Sequence, residues 1–132
     1  MDDEIKVSDS ILSSVKKLIG IQPEDDSFDL DIMFNINAAF TILFQLGVLK
    51  KPYMITSKDN TYSELNFGDK LDILSLVRMY LYYKTKLGFD SSTASANVIS
   101  SLKEMIAEAE WRLQIAFNDE DTFDYGGDIQ NE

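Results

Sequence analysis

Apolar residues recur at helical spacing along most of the chain, and breaks in that period divide it into four helices and one irregular insert. In the first helix Ile11, Leu12, Val15, Leu18 and Ile19 share a face; it starts at Ser8 or Ser10, and Gly20 supplies its stop. An acidic linker with Pro23, Glu24, Asp25 and Asp26 follows, in which Asp26 or Ser27 is placed to cap the second helix. That helix runs over 28–46, ends at Gly47, and is apolar over most of its circumference. Its polar stripe is narrow: Asn37, Thr41 and Gln45, spaced four apart. A surface helix of a small monomer buries about a third of its circumference. This one is therefore either the centre of the bundle or packed on two sides, against its own core and a neighbouring subunit.

Residues 48–68 lose the helical period. Pro52, the Asp59-Asn60 pair and Gly68 are turn signals, while Tyr53, Ile55, Thr61 and Tyr62 favour extended structure, so the insert reads as a small β-hairpin or an ordered loop. The third helix covers 69–87 with Gly88 as its end, and carries Ile73, Leu74, Val77 and Leu81 beside the cluster Tyr80, Tyr82 and Tyr83. The fourth begins within the hydroxyl-rich stretch 91–95 and continues to residue 117. Val98, Ile99, Leu102, Met105, Ile106, Ala109 and Leu113 form its core stripe. Trp111 lies off that stripe, roughly 220° around the helix from Val98. The fold class is mostly α: a four-helix bundle-like domain over 1–117 with an insert between helices 2 and 3, then an extended acidic C-terminal tail over 118–132.

Composition narrows what such a domain does. With 132 residues and 45% apolar content there is one domain and one core. The acidic start Met1-Asp2-Asp3-Glu4 is unlike a secretory leader, and the absence of cysteine fits synthesis in a reducing cytoplasm. The long apolar stretch 30–49 contains Asp31, Asn35, Asn37 and Gln45, which are costly in lipid, so no membrane span is expected. The chain has neither His nor Cys, which removes the commonest general base, the thiol nucleophile and the usual zinc ligands. No enzyme activity, metal or cofactor is expected.

Charge points the same way. The net charge of −11 opposes tight nucleic-acid binding. Nine acids crowd residues 1–31 and six crowd 118–132, whereas 50–103 holds eight bases against five acids. Acidic ends around a mildly basic middle suit a surface that meets neighbours of opposite sign.

Asp25, Asp26, Asp29 and Asp31 miss calcium-loop spacing, since Leu30 stands at the sixth position and Ile36 at the twelfth, and they read as capping and solvated acids. Glu104, Glu108 and Glu110 lack the histidines of a di-metal bundle and read as a solvated face. Gly126-Gly127 has no phosphate-loop lysine. Arg78, Lys84 and Lys86 near Tyr80, Tyr82 and Tyr83 fit contact with an acidic protein better than a nucleic-acid platform. Off-stripe Trp111 beside Arg112 is either a side-on core contact or an interface anchor.

The run Val15-Lys16-Lys17-Leu18-Ile19-Gly20-Ile21, the acidic turn with Asp25, and then Asp29, Ile32, Ile36 and Ala39 resemble the opening of phage head–tail connector (adaptor, or head-completion) proteins. The helix over 71–83, a short linker and a last helix ending Glu110-Trp111-Arg112-Leu113 fit the same outline, so the resemblance covers 10–117. It implies a virion structural protein in the neck of a tailed phage: a homo-oligomeric ring of typically about twelve copies beneath the portal protein. Such a ring extends the DNA channel, passes DNA without sequence-specific binding, and gives a tail or stopper protein its docking surface. It also implies that the last helix and tail reach the portal. The interface residues expected, toward the portal or a neighbouring subunit, are Trp111, Arg112, Phe117, Phe123, Tyr125, Arg78, Lys84 and Lys86. The competing reading is an acidic DNA mimic that occupies a nucleic-acid-processing protein.

Overall fold

Ser10 opens the first helix by accepting a hydrogen bond from the Ser13 N–H at 3.1 Å, an N-cap that satisfies one of the free amides of the first turn. The computed structural model describes residues 4–68 and 70–130, except for the side chains of 118–130. Helix α1 (Ile11–Ile19) closes on Gly20, whose φ of 87° lies in the left-handed region. There the Gly20 N–H bonds Lys17 O at 3.2 Å and the Ile21 N–H bonds Lys16 O at 2.9 Å, the paired closure of a Schellman motif. The same device ends α2 (Asp29–Gln45), where Gly47 has φ 86° and Val48 N–H reaches Leu43 O at 2.9 Å.

The start of α2 differs from expectation. Neither Asp26 nor Ser27 caps it; Phe28 occupies the cap position without a side-chain bond. Asp25 instead folds the linker, accepting from the Ser27 N–H at 3.0 Å and its hydroxyl at 2.7 Å, and these bonds hold its carboxyl below the usual range. Asp29 and Asp31 in the first turn meet the positive end of the helix dipole. Asp29 also pairs at 2.8 Å with Lys16, which is almost wholly buried and donates to Pro23 O. A buried lysine without that partner would be costly, so the ion pair ties α1 to the first turn of α2.

Residues 48–68 form a loop and no hairpin. Among the described residues there is no strand, only an isolated antiparallel bridge between Ser10 and Thr61, followed by a 3-10 turn over Tyr62–Leu65. The residues that favour extended structure serve as anchors: Ile55, Tyr62 and Leu65 are buried, and Tyr53 stands edge-on to Phe40 with centroids 5.1 Å apart. Tyr62 reaches the Ser14 hydroxyl at 2.6 Å.

Helix α3 (Leu71–Asp90) is the one against which the other three pack. That place was open to α2, whose outward face is instead uncovered. The expected start at Asp69 lies outside the described residues. Gly88 does not stop α3, which continues to Asp90; a Cβ at Gly88 would meet the side-chain amide of Asn35 on α2 and push it aside, so glycine there lets the two helices approach with that amide in place. Helix α4 (Ala96–Gln130) begins after Ser95, whose hydroxyl accepts from the Val98 N–H at 3.2 Å. It packs antiparallel to α3 through Leu102, Ile106, Ala109 and Leu113. Val98 and Met105, expected in that core stripe, are 43% and 44% exposed, and Leu18 on α1 is likewise exposed. The helix runs on past Phe117, where an extended tail was expected.

Candidate interaction surface

The surface carries more apolar area than its own core uses. On α2, Leu30 and Phe34 are 80% and 74% exposed and lie one turn apart. On α4, Val98, Met105, Trp111 and Ile115 are also exposed. Single exposed apolar residues are ordinary, whereas neighbouring pairs along a helix face make a patch that marks contact. Trp111 is 61% exposed, which rules out its reading as a core contact within the monomer.

The expected interface residues whose side chains are described fall in four separate places. Trp111 and Arg112 sit on the outer side of α4, where Arg112 holds Glu108 one turn back at 2.7 and 3.0 Å. Lys86 lines a groove between α3 and α4 of about 420 Å³, together with Tyr82, Tyr83, Val98 and Met105. It pairs with Asp90 at 2.9 Å, which holds its ammonium above the usual range. Lys84 is half-buried nearby on α3. Arg78 faces the N-terminal arm, in a hollow with Glu4, Asp9 and Ser10. Phe117 is half-buried and packs against Phe67 with centroids 5.6 Å apart. The side chains of Phe123 and Tyr125 lie outside the described residues.

Two features escape a reading of the chain alone. Glu110, grouped with a solvated acidic face, accepts a hydrogen bond from Tyr80 at 2.7 Å and ties α4 to α3. Burial and that carboxylate together push the Tyr80 phenol well above its ordinary value. The second is a groove of about 770 Å³ where the insert meets the end of the α4 core, lined by Lys50, Lys51 and Lys70 with Tyr53, Phe67 and Phe117. The local excess of bases in this part of the chain signals positive charge, but only the fold gathers these three lysines around aromatic rings.

Among the described residues no group of three or more acids is placed to hold a metal, and no helix is long and apolar enough to cross a membrane. Exposed apolar ridges on α2 and α4, beside grooves lined by aromatic and basic side chains, define the class first: a helical module built for contacts with other proteins. The family follows from comparison with known proteins, in which the model for phage connector proteins matches residues 11–120. The chain belongs to the phage connector protein family, and the resemblance read over 10–117 is borne out. Its role is that of a structural head–tail connector, a virion component that contacts other phage head and tail proteins. Comparison with curated proteins and with solved structures yields no match.

Proposed function

We propose that the chain is one subunit of a closed ring of about twelve copies, seated between the portal and a tail or stopper protein in the neck of the phage. The ring extends the channel through which DNA leaves the head. The observation that carries this reading is the pair Leu30 and Phe34, 80% and 74% exposed on a helix whose other face is core. A monomer gains nothing by presenting them to water, and a neighbouring subunit covers them. The portal contact falls to the outer side of α4 around Trp111 and Arg112, an exposed Trp beside an Arg being the composition that anchors interfaces. The net charge of −11 supports an acidic lumen past which DNA slides without counterion-release binding.

Size-exclusion chromatography with light scattering, with and without the portal protein, tests this. A large assembly in either condition is the expected result. A stable monomer in both, or a monomer that captures a DNA-processing enzyme, contradicts it and favours the acidic mimic.

A further inference from the structure

We propose that the basic groove beside the insert receives the acidic C-terminal segment of a neighbouring copy. The inference rests on the ring reading above and names the contact that joins its subunits. In a chain of net charge −11, the groove gathers Lys50, Lys51 and Lys70 within one concavity. Glu64, the one acid among the described residues that line the groove, is already engaged. Its carboxylate accepts from the Tyr53 phenol at 2.6 Å and the Asn60 amide at 3.0 Å, and both bonds hold it below the usual range. Lys50 and Lys51 are exposed and stand beside the rings of Tyr53, Phe67 and Phe117.

An occupant that fits has negative charge interleaved with aromatic rings, for opposite charge steers and aligns while ring contacts hold. This chain carries such a segment. Residues 118–132 hold six acids and no base, and Phe123 and Tyr125 stand among them. The helix carries the far part of that segment away from the chain's own groove. Phe117 lines the groove, and α4 continues as a helix to Gln130. At about 1.5 Å per residue, Tyr125 lies roughly 12 Å further along the axis. A continuous helix does not double back, so the backbone of 124–130 runs on beyond the groove, and the next copy is the partner proposed for it. A groove on one subunit filled by the end of another is a head-to-tail contact, the kind that propagates around a ring.

Charge reversal in the full chain tests the contact. One variant carries Lys50→Glu and Lys51→Glu; the other carries Asp124→Lys and Asp128→Lys. Each alone sets like charges together and is expected to weaken assembly at least tenfold, read by light scattering on dilution, with helical circular dichroism unchanged. Mixing the two pairs glutamate groove with lysine segment and lysine groove with acidic segment, so assembly returns. Carbodiimide coupling of an equal mixture of light and heavy-isotope wild type should join Lys50 or Lys51 to acids of the other isotope. Assembly by the wild type that neither reversal disturbs overturns the groove contact and leaves the ring standing. Folded variants that mixing does not restore, couplings confined to one isotope, or a segment reversal that costs only portal binding also overturn it. A wild type that is monomeric both alone and with the portal removes the ring reading itself.

Discussion

The side-chain amide of Asn37 on α2 holds the backbone of Ile55 from both sides: its Nδ2 donates to Ile55 O at 3.0 Å, and its Oδ1 accepts from the Ile55 N–H at 2.8 Å. An amide is the side chain that offers donor and acceptor side by side, as a peptide group does. The clamp pins the insert to the bundle where no strand partner exists. Asn37→Ala leaves a buried residue's N–H and C=O without partners, and should cost about 1–3 kcal/mol. Urea unfolding checks this, and Asn37→Asp, which keeps the acceptor and loses the donor, should fall between the two.

Gly88 and Asn35 make a second close contact between α2 and α3. Gly88→Ala gains helix propensity of up to about 1 kcal/mol, but its Cβ displaces the Asn35 amide from its 2.9 Å bond to Asp31 O. In an Asn35→Ala background the obstruction is gone and only the gain remains. A double-mutant cycle should therefore show a coupling of about 1 kcal/mol or more. Additive effects would remove the packing explanation for this glycine.

Tyr62 gives the fold an alkaline limit. Burial pushes its phenol up to about 12 from an ordinary value of 10, with the Ser14 hydrogen bond and the charge of Arg78 opposing the rise. The folded-state value is raised, so the stability that Tyr62 contributes is fully present below pH 10 and is lost as pH rises through about 12. Unfolding free energy measured across that window should decline less steeply in Tyr62→Phe than in the wild type.

Four helices are legible in the chain because apolar spacing, Ser10, Gly20, Gly47 and Ser95 all act locally. What is not legible depends on a second element. Gly88 looks like a helix stop because glycine serves equally for a left-handed cap and for close approach, and the side chain that decides between them, Asn35, lies on another helix. Tyr53, Ile55 and Tyr62 look like strand residues, since β-propensity measures a fit to half-buried surfaces more than to strands; here Phe40, Asn37 and Ser14 supply those surfaces. The exposure of Trp111 follows from its angle on α4, whereas Val98 and Met105 share the core angle but lie beside an open groove. The three lysines around that other, basic groove come from two segments that only the folded insert brings together.

The exposed apolar residues separate folding from assembly. Trp111→Ala should change monomer stability by no more than about 0.5 kcal/mol, because the side chain is 61% exposed. It should nonetheless weaken assembly on the portal, read as loss of the large species in light scattering. Loss of helical circular dichroism with assembly intact would reverse that assignment.

Leu30→Asp with Phe34→Asp should likewise leave the monomer folded and abolish the ring, since neither side chain belongs to the core. Sedimentation velocity distinguishes a folded monomer from an unfolded or aggregated chain.

Single-particle electron microscopy of the chain bound to its portal reads the central claim most directly. The expected image is a closed ring coaxial with the portal, with Leu30 and Phe34 covered by a neighbouring subunit and Trp111 at the portal contact. A portal that carries no ring, or a ring in which Leu30, Phe34 and Trp111 all face solvent, contradicts it.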